Sequence, residues 1–125
     1  MEPDGTILVV DDNPDTNEAL VRLLQLRGYE VRGAFDGAEA LGYLRDGLEP
    51  SVIVLDLRMP IMDGHELLRV LAADPRLARF PVVVYSSVSE PIPPHLVVLA
   101  YVAKSGDPGA LLDVIARACP PPLLQ

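Results

Sequence analysis

The stretch Ile7-Leu8-Val9-Val10-Asp11-Asp12-Asn13-Pro14 decides how the rest of the chain is read. Four consecutive apolar residues suit a strand buried on both faces, because a half-exposed strand would alternate with polar residues. The run stops abruptly at two aspartates, and Asn13-Pro14 then reads as a helix cap with proline in the first turn. Leu20, Leu23, Leu24 and Arg27 keep a helical period until Gly28, so the spacing predicts a helix from about Pro14 to Arg27. A doubly buried strand that passes straight into a helix is the repeating unit of a parallel sheet.

The unit recurs along the chain. A short strand is expected over Glu30 to Ala34, after which Asp36 and Gly37 open a helix whose apolar positions Ala40, Leu41 and Leu44 run up to Gly47. Val52 to Leu55 forms the next buried strand and delivers Asp56 at its end. Met59, Pro60, Asp63 and Gly64 then turn the chain into a third helix through about Ala73. Pro81 to Tyr85 reads as a fourth strand ending in Ser86 and Ser87, Ala100 to Ala103 as a fifth ending at Lys104, and Pro108 to Ala118 as the last helix. Between Val88 and Leu99, Pro91, Pro93 and Pro94 bar a regular helix over the first half, so a fourth helix is expected to be short or irregular. Right-handed crossovers joined by short turns then demand an α/β fold: a doubly wound, five-stranded parallel sheet with up to five helices on its two faces.

Composition narrows the class. A length of 125 residues fits a single domain, with a core over about 6–118 and residues 119–125 as a tail or a truncated linker. Half the residues are hydrophobic and 22% are charged, the balance of a globular protein rather than a disordered one. No apolar run reaches the roughly 18 to 20 residues of a membrane-spanning helix, and the opening residues are polar and acidic rather than signal-like, so a cytoplasmic location is expected. A net charge of −8 with no cluster of Arg or Lys argues against direct nucleic-acid binding by this chain. The lone Cys119, in a proline-rich tail, reads as a reduced bystander, and His65 and His95 have no partners at metal-ligand spacing.

Ligands of open parallel sheets bind at the carboxyl ends of the strands, and here those ends carry Asp11, Asp12, Asp56, Ser86 and Lys104. Crowded carboxylates repel one another unless a cation lies between them, and magnesium takes oxygen ligands of this kind. Asp12 and Asp56 are the candidate direct ligands, with Asp11 acting through water. An aspartate carboxylate can itself attack a phosphoryl group if the charge on the transferred oxygens is neutralised. Lys104, the only lysine in the chain, would cover one such oxygen and the Ser86 hydroxyl another, with backbone N–H groups near Arg58 and Ser87 adding more. Each residue alone has a plainer reading: Asp11 and Asp12 as caps, Asp56 as a turn residue, Lys104 as a surface charge, Ser86 as a strand-end hydroxyl, Tyr101 as packing. Their convergence on one rim favours the chemical reading.

Val9-Val10-Asp11-Asp12, then Leu55-Asp56-Leu57-Arg58-Met59-Pro60-Ile61-Met62-Asp63-Gly64, then Ser86, then Tyr101-Val102-Ala103-Lys104 resembles the receiver domains of response regulators of the chemotaxis-regulator type, over about Thr6 to Ala118. The resemblance implies a flavodoxin-like sheet of order 2-1-3-4-5. It implies a bacterial two-component phosphorelay in which Asp56 takes a phosphoryl group from a sensor histidine kinase or a histidine phosphotransfer protein. Mg2+, with Mn2+ able to substitute, would be held by Asp11, Asp12, Asp56 and the backbone carbonyl of Arg58. Ser86 and Tyr101 would be the switch residues toward an unknown downstream protein target. Such a module is no enzyme beyond self-phosphorylation from small donors and slow autodephosphorylation. The chain departs from the family in its compressed, proline-rich stretch between Ser86 and Lys104, and in Ser105, where a proline generally follows the lysine.

Two other readings stand beside it. A magnesium-dependent phosphatase would also use a strand-end aspartate as nucleophile, but its Asp-x-Asp pattern is missing, with Arg58 at the second acidic position. A docking module that keeps the fold and works independently of phosphorylation is the other.

Overall fold

The computed structural model describes residues 5–105 and 107–121. Strands β1 (Thr6–Val10), β2 (Glu30–Ala34), β3 (Val52–Leu55), β4 (Val82–Ser86) and β5 (Ala100–Ala103) form one sheet. All pairings are parallel, in the order β2-β1-β3-β4-β5, which is the order expected. Helices α1 (Pro14–Leu26), α2 (Gly37–Arg45), α3 (Gly64–Ala73) and α4 (Gly109–Ala118) connect and cover the strands. Strand order reverses at β1, which has β2 on one side and β3 on the other, so the crevice of the fold opens above the ends of β1 and β3.

Both faces of the central strands are apolar because each face has its own cover. Leu8 and Val10, Ile53 and Leu55, Val82 and Val84 point one way and pack with Ala40, Leu41 and Leu44 of α2 and Leu67, Leu68 and Leu71 of α3. Their neighbours Ile7 and Val9, Val52 and Val54, Val83 and Tyr85 point the other way, onto Leu20 and Leu24 of α1 and Leu111, Leu112 and Ile115 of α4. Such alternation is what a period of two in a strand produces.

The expected Asn13 cap is in place, its side chain accepting from Thr16 N–H (3.1 Å). Asp36, where the second helix was expected to open, accepts from Glu39 N–H (2.8 Å), and Asp63, expected in the turn, forms a reciprocal capping box with Glu66.

Two expectations need correction. Among the described residues no helix lies between β4 and β5, so the expected short or irregular fourth helix is absent and α4 is the helix that follows β5. Residues 88–99 run as irregular chain with a single turn, closed by Leu96 N–H on the Pro93 carbonyl (2.9 Å). Pro91, Pro93 and Pro94 lack the N–H groups a helix would need there. The segment still buries Leu96 and packs Val88, Ile92 and Val98 against the core, so it covers the sheet without being a helix. Cys119 is no tail residue: it is buried in the core beside α4, and the Tyr29 hydroxyl donates to its carbonyl. Residues 122–125 of the expected tail lie outside the described residues.

Candidate functional site

Asp11 and Asp12 follow β1, and Asp56 follows β3, the two strands flanking the reversal of strand order. Asp56 N–H donates to the Val10 carbonyl (2.9 Å), which holds the two strand ends in register. One carboxylate oxygen from each of Asp11, Asp12 and Asp56 lies within 4.8 Å of the others. Asp11 and Asp56 are buried, at 2% and 7% exposure, whereas Asp12 faces solvent. Lys104 reaches this rim because its N–H continues the β4–β5 ladder onto the Ser86 carbonyl (2.9 Å). Its Nζ lies 2.7 Å from Asp11 Oδ2 and 3.4 Å from Asp56 Oδ2.

The charges do not balance. Three carboxylates against one ammonium leave two negative charges, and Lys104 sits closer to Asp11 than to Asp56. Burial pushes the Asp56 carboxyl above its ordinary value; the Lys104 charge pulls it down, Asp11 pushes it up again, and the Ser86 hydroxyl and Arg58 N–H lower it, for a net rise. Burial draws the Lys104 ammonium down, but the hydrogen bond and charge of Asp11, and then Asp56, outweigh it and hold the pKa above 10.5. The two directions agree physically: Lys104 bonds Asp11 more closely than Asp56, and Asp56 is left short of positive charge. A hard divalent cation fits such a set of oxygens, and among the described residues Asp11, Asp12 and Asp56 are the group that could hold it.

Ser86 is buried at the end of β4, and its Oγ accepts from Val88 N–H (3.3 Å). Tyr101 points outward from β5. Its hydroxyl donates to the Val88 carbonyl and accepts from Glu90 N–H (3.3 Å), so it ties the 88–99 segment to the edge strand. Gly64, at the start of α3, is required by close approach: a Cβ there would stand 2.5 Å from the Asp56 carbonyl oxygen and 2.8 Å from Leu57 Cα. Ile61, in the same loop, holds a left-handed φ of 67° while 80% exposed.

Two residues at this end of the sheet were not singled out from sequence. Glu90 pairs with the Arg58 guanidinium and lies 3.7 Å from His65 Nδ1, fastening the 88–99 segment to the loop after β3. Nothing local marks Glu90 in the sequence. Asn17 is buried in α1, where its spacing from Leu20 and Leu24, three and seven residues on, puts a polar group on the core face. That mismatch is a readable signal.

Comparison with known proteins agrees with this geometry. The family model for the response regulator receiver domain matches residues 7–116. The chain is 46% identical over 67 residues to the transcriptional regulatory protein PrrA of Mycobacterium tuberculosis, covering 54% of this chain and 28% of that protein. It is 43% identical over 68 residues to the DNA-binding response regulator MtrA of Mycolicibacterium smegmatis, covering 54% and 29%. The chain thus spans less than a third of these relatives. Among solved structures, a response regulator receiver protein from Pseudomonas putida superposes with a TM-score of 0.84 at 31% identity, covering 94% of this chain and 99% of that one. The response regulator TrrA of Thermotoga maritima, solved in complex with Mg2+ and BeF, superposes with a TM-score of 0.78 at 27% identity, covering 90% and 97%. With its sheet order, its acid-lined rim and a family match over nearly its whole length, this chain belongs to the receiver domains of two-component response regulators.

Proposed function

We propose that this receiver accepts a phosphoryl group on Asp56 from a phosphohistidine of a sensor histidine kinase or histidine phosphotransfer protein, with Mg2+ held by Asp11, Asp12, Asp56 and the Arg58 backbone carbonyl. The observation that carries the reading is Asp56 itself, a buried strand-end carboxylate whose one nearby cation among the described residues, Lys104, is engaged more closely by Asp11. In the transfer the N–P bond of the donor breaks, its electron pair returning to the ring nitrogen of a phosphoimidazole protonated on its other nitrogen, which departs as neutral imidazole, and an O–P bond forms to the Asp56 carboxylate. The ion, for which Mn2+ can substitute, would neutralise charge on the carboxylates and the transferred oxygens. Lys104 then turns to one phosphoryl oxygen and the Ser86 hydroxyl to another. The added charge draws on Ser86, and Tyr101, already bonded to Val88 and Glu90, passes the movement to a surface read by a downstream protein in the cytoplasm. Turnover is confined to self-phosphorylation from small donors and slow autodephosphorylation. The acidic charge of the chain favours a protein target, with DNA contacts in any longer protein assigned elsewhere.

Intact mass after incubation with acetyl phosphate and Mg2+ tests this directly. A gain of one phosphoryl group, absent in Asp56→Asn and in a chelator, is expected; no gain under any condition would sink the reading. That second result would favour a phosphorylation-independent docking module, the alternative that the missing helix between β4 and β5 keeps in view.

A further inference from the structure

Asn17 has no part in the phosphoryl chemistry, yet it is built into the rim. It is 2% exposed, and its Nδ2 donates to two carbonyls, those of Asp11 and Ala34, each at 2.9 Å. The Ala34 carbonyl also accepts from Asp11 N–H (3.0 Å), the last rung of the β1–β2 ladder. Beyond Ala34 the chain leaves β2 for the cap of α2, so the Asn17 amide takes the place of the next rung and binds the Asp11 carbonyl instead. That carbonyl belongs to the peptide joining Asp11 to Asp12. The Asp11 side chain is held separately, by Asn13 N–H (2.9 Å) and by Lys104. No described residue donates a hydrogen bond to the Asp12 carboxylate, so its aim depends on the backbone that carries it.

The other side of Asn17 is as closely fitted. Gly33 of β2 faces it, and a Cβ on Gly33 would stand 2.5 Å from Asn17 Oδ1. Two β-strand ends and a helix therefore meet on one amide, and a glycine leaves the room for it.

We infer that Asn17 is a positioning residue for the acidic rim: its amide fixes the Asp11–Asp12 peptide and so aims the Asp12 carboxylate at Asp11 and Asp56. The part of this that concerns Mg2+ rests on the proposed function; the part that concerns the backbone does not.

The test uses Asn17→Leu, which keeps the branched shape of the side chain and removes both of its donated hydrogen bonds, and Gly33→Ala, which displaces the Asn17 side chain without altering it. Calorimetric titration with MgCl2 on fully folded protein should show both variants binding the ion more weakly, by about tenfold for Asn17→Leu, the scale of losing a group that orients a metal ligand. In metal-free protein the Asp12 and Asn13 amides should exchange with solvent faster than in wild type, while amides of α4 remain unchanged. A lower melting temperature with unaltered Mg2+ affinity and unaltered exchange at Asp12 and Asn13 would reduce Asn17 to an ordinary buried amide and overturn the inference. Failure of wild type itself to bind Mg2+ would count against the proposed function, while the exchange comparison would still decide the role of Asn17. Should Asn17→Leu not fold, Gly33→Ala carries both measurements.

Discussion

Replacing Lys104 with methionine isolates the charge imbalance at the rim. The ammonium lies 2.7 Å from Asp11 and 3.4 Å from Asp56, both buried, and keeps about a fifth of its own side chain in water. At an effective dielectric constant near 20, each attraction is roughly 5 to 6 kcal/mol before the cost of dehydrating the charges is counted. Breaking a buried pair by removing one partner typically costs 3–5 kcal/mol, and the partial exposure of Lys104 puts the expected loss at the lower end, about 3 kcal/mol at pH 7. Urea unfolding in the presence of a chelator measures it, as a shift in midpoint at constant slope. The pH dependence has a definite sign. Asp56 already has a folded-state pKa above its ordinary value of 3.8, so ionising it disfavours the folded state. Without Lys104 that rise becomes larger, and the deficit grows as pH climbs from about 4 and fades in acid, where the carboxylate is protonated. Added Mg2+ should recover much of the loss, because a cation between the carboxylates supplies the charge that Lys104 gave. A variant within about 0.5 kcal/mol of wild type at pH 7 in chelator, or a deficit constant from pH 4 to 7, would refute the reasoning.

The same imbalance predicts that Asp56→Asn raises the urea midpoint in chelator at neutral pH. The gain should vanish near pH 4, and a loss at pH 7 would contradict it. Ile61→Gly should stabilise the chain by about 0.5–1 kcal/mol in a thermal melt, because it relieves a left-handed backbone at a side chain that buries almost nothing. Glu90→Gln should leave the melting temperature within about 2 °C of wild type, since the ion pair with Arg58 is exposed, while hydrogen exchange over Val88 to Leu99 quickens. Unchanged exchange there would show that apolar packing alone holds the segment.

What the sequence made legible followed from strong local rules. Short, β-rich apolar runs at Ile7–Val10, Val52–Leu55 and Val82–Val84 suit strands covered on both sides, and Asn13, Asp36 and Asp63 cap the helices they precede. Because strand ends in such a sheet share one rim, Asp11, Asp12, Asp56, Ser86 and Lys104 group together on the sequence alone. The illegible parts depend on contacts between distant residues. Glu90 meets Arg58 across 32 positions and Tyr29 meets Cys119 across 90, and neither spacing has a sequence signature. The three prolines showed that a helix would be damaged in the fourth crossover, but not that Leu96, Ile92 and Val98 could cover the sheet with none. Asn17 is legible as a polar group on the apolar stripe of α1, but its two acceptors, on Asp11 and Ala34, have no sequence signature.

The irregular crossover separates two duties that a helix would have merged. Its prolines stiffen the chain in the unfolded state, so ordering it costs less entropy than its length suggests. It is held by Leu96 in the core with Val88, Ile92 and Val98 packed beside it, by Glu90 on Arg58, by the Tyr101 hydroxyl on Val88, and by Leu99 N–H on the Val82 carbonyl. None of the rim carboxylates lies on it. Substitutions on the outer surface of the segment can thus change what it presents to solvent without touching the carboxylates, which are fixed to the ends of the inner strands.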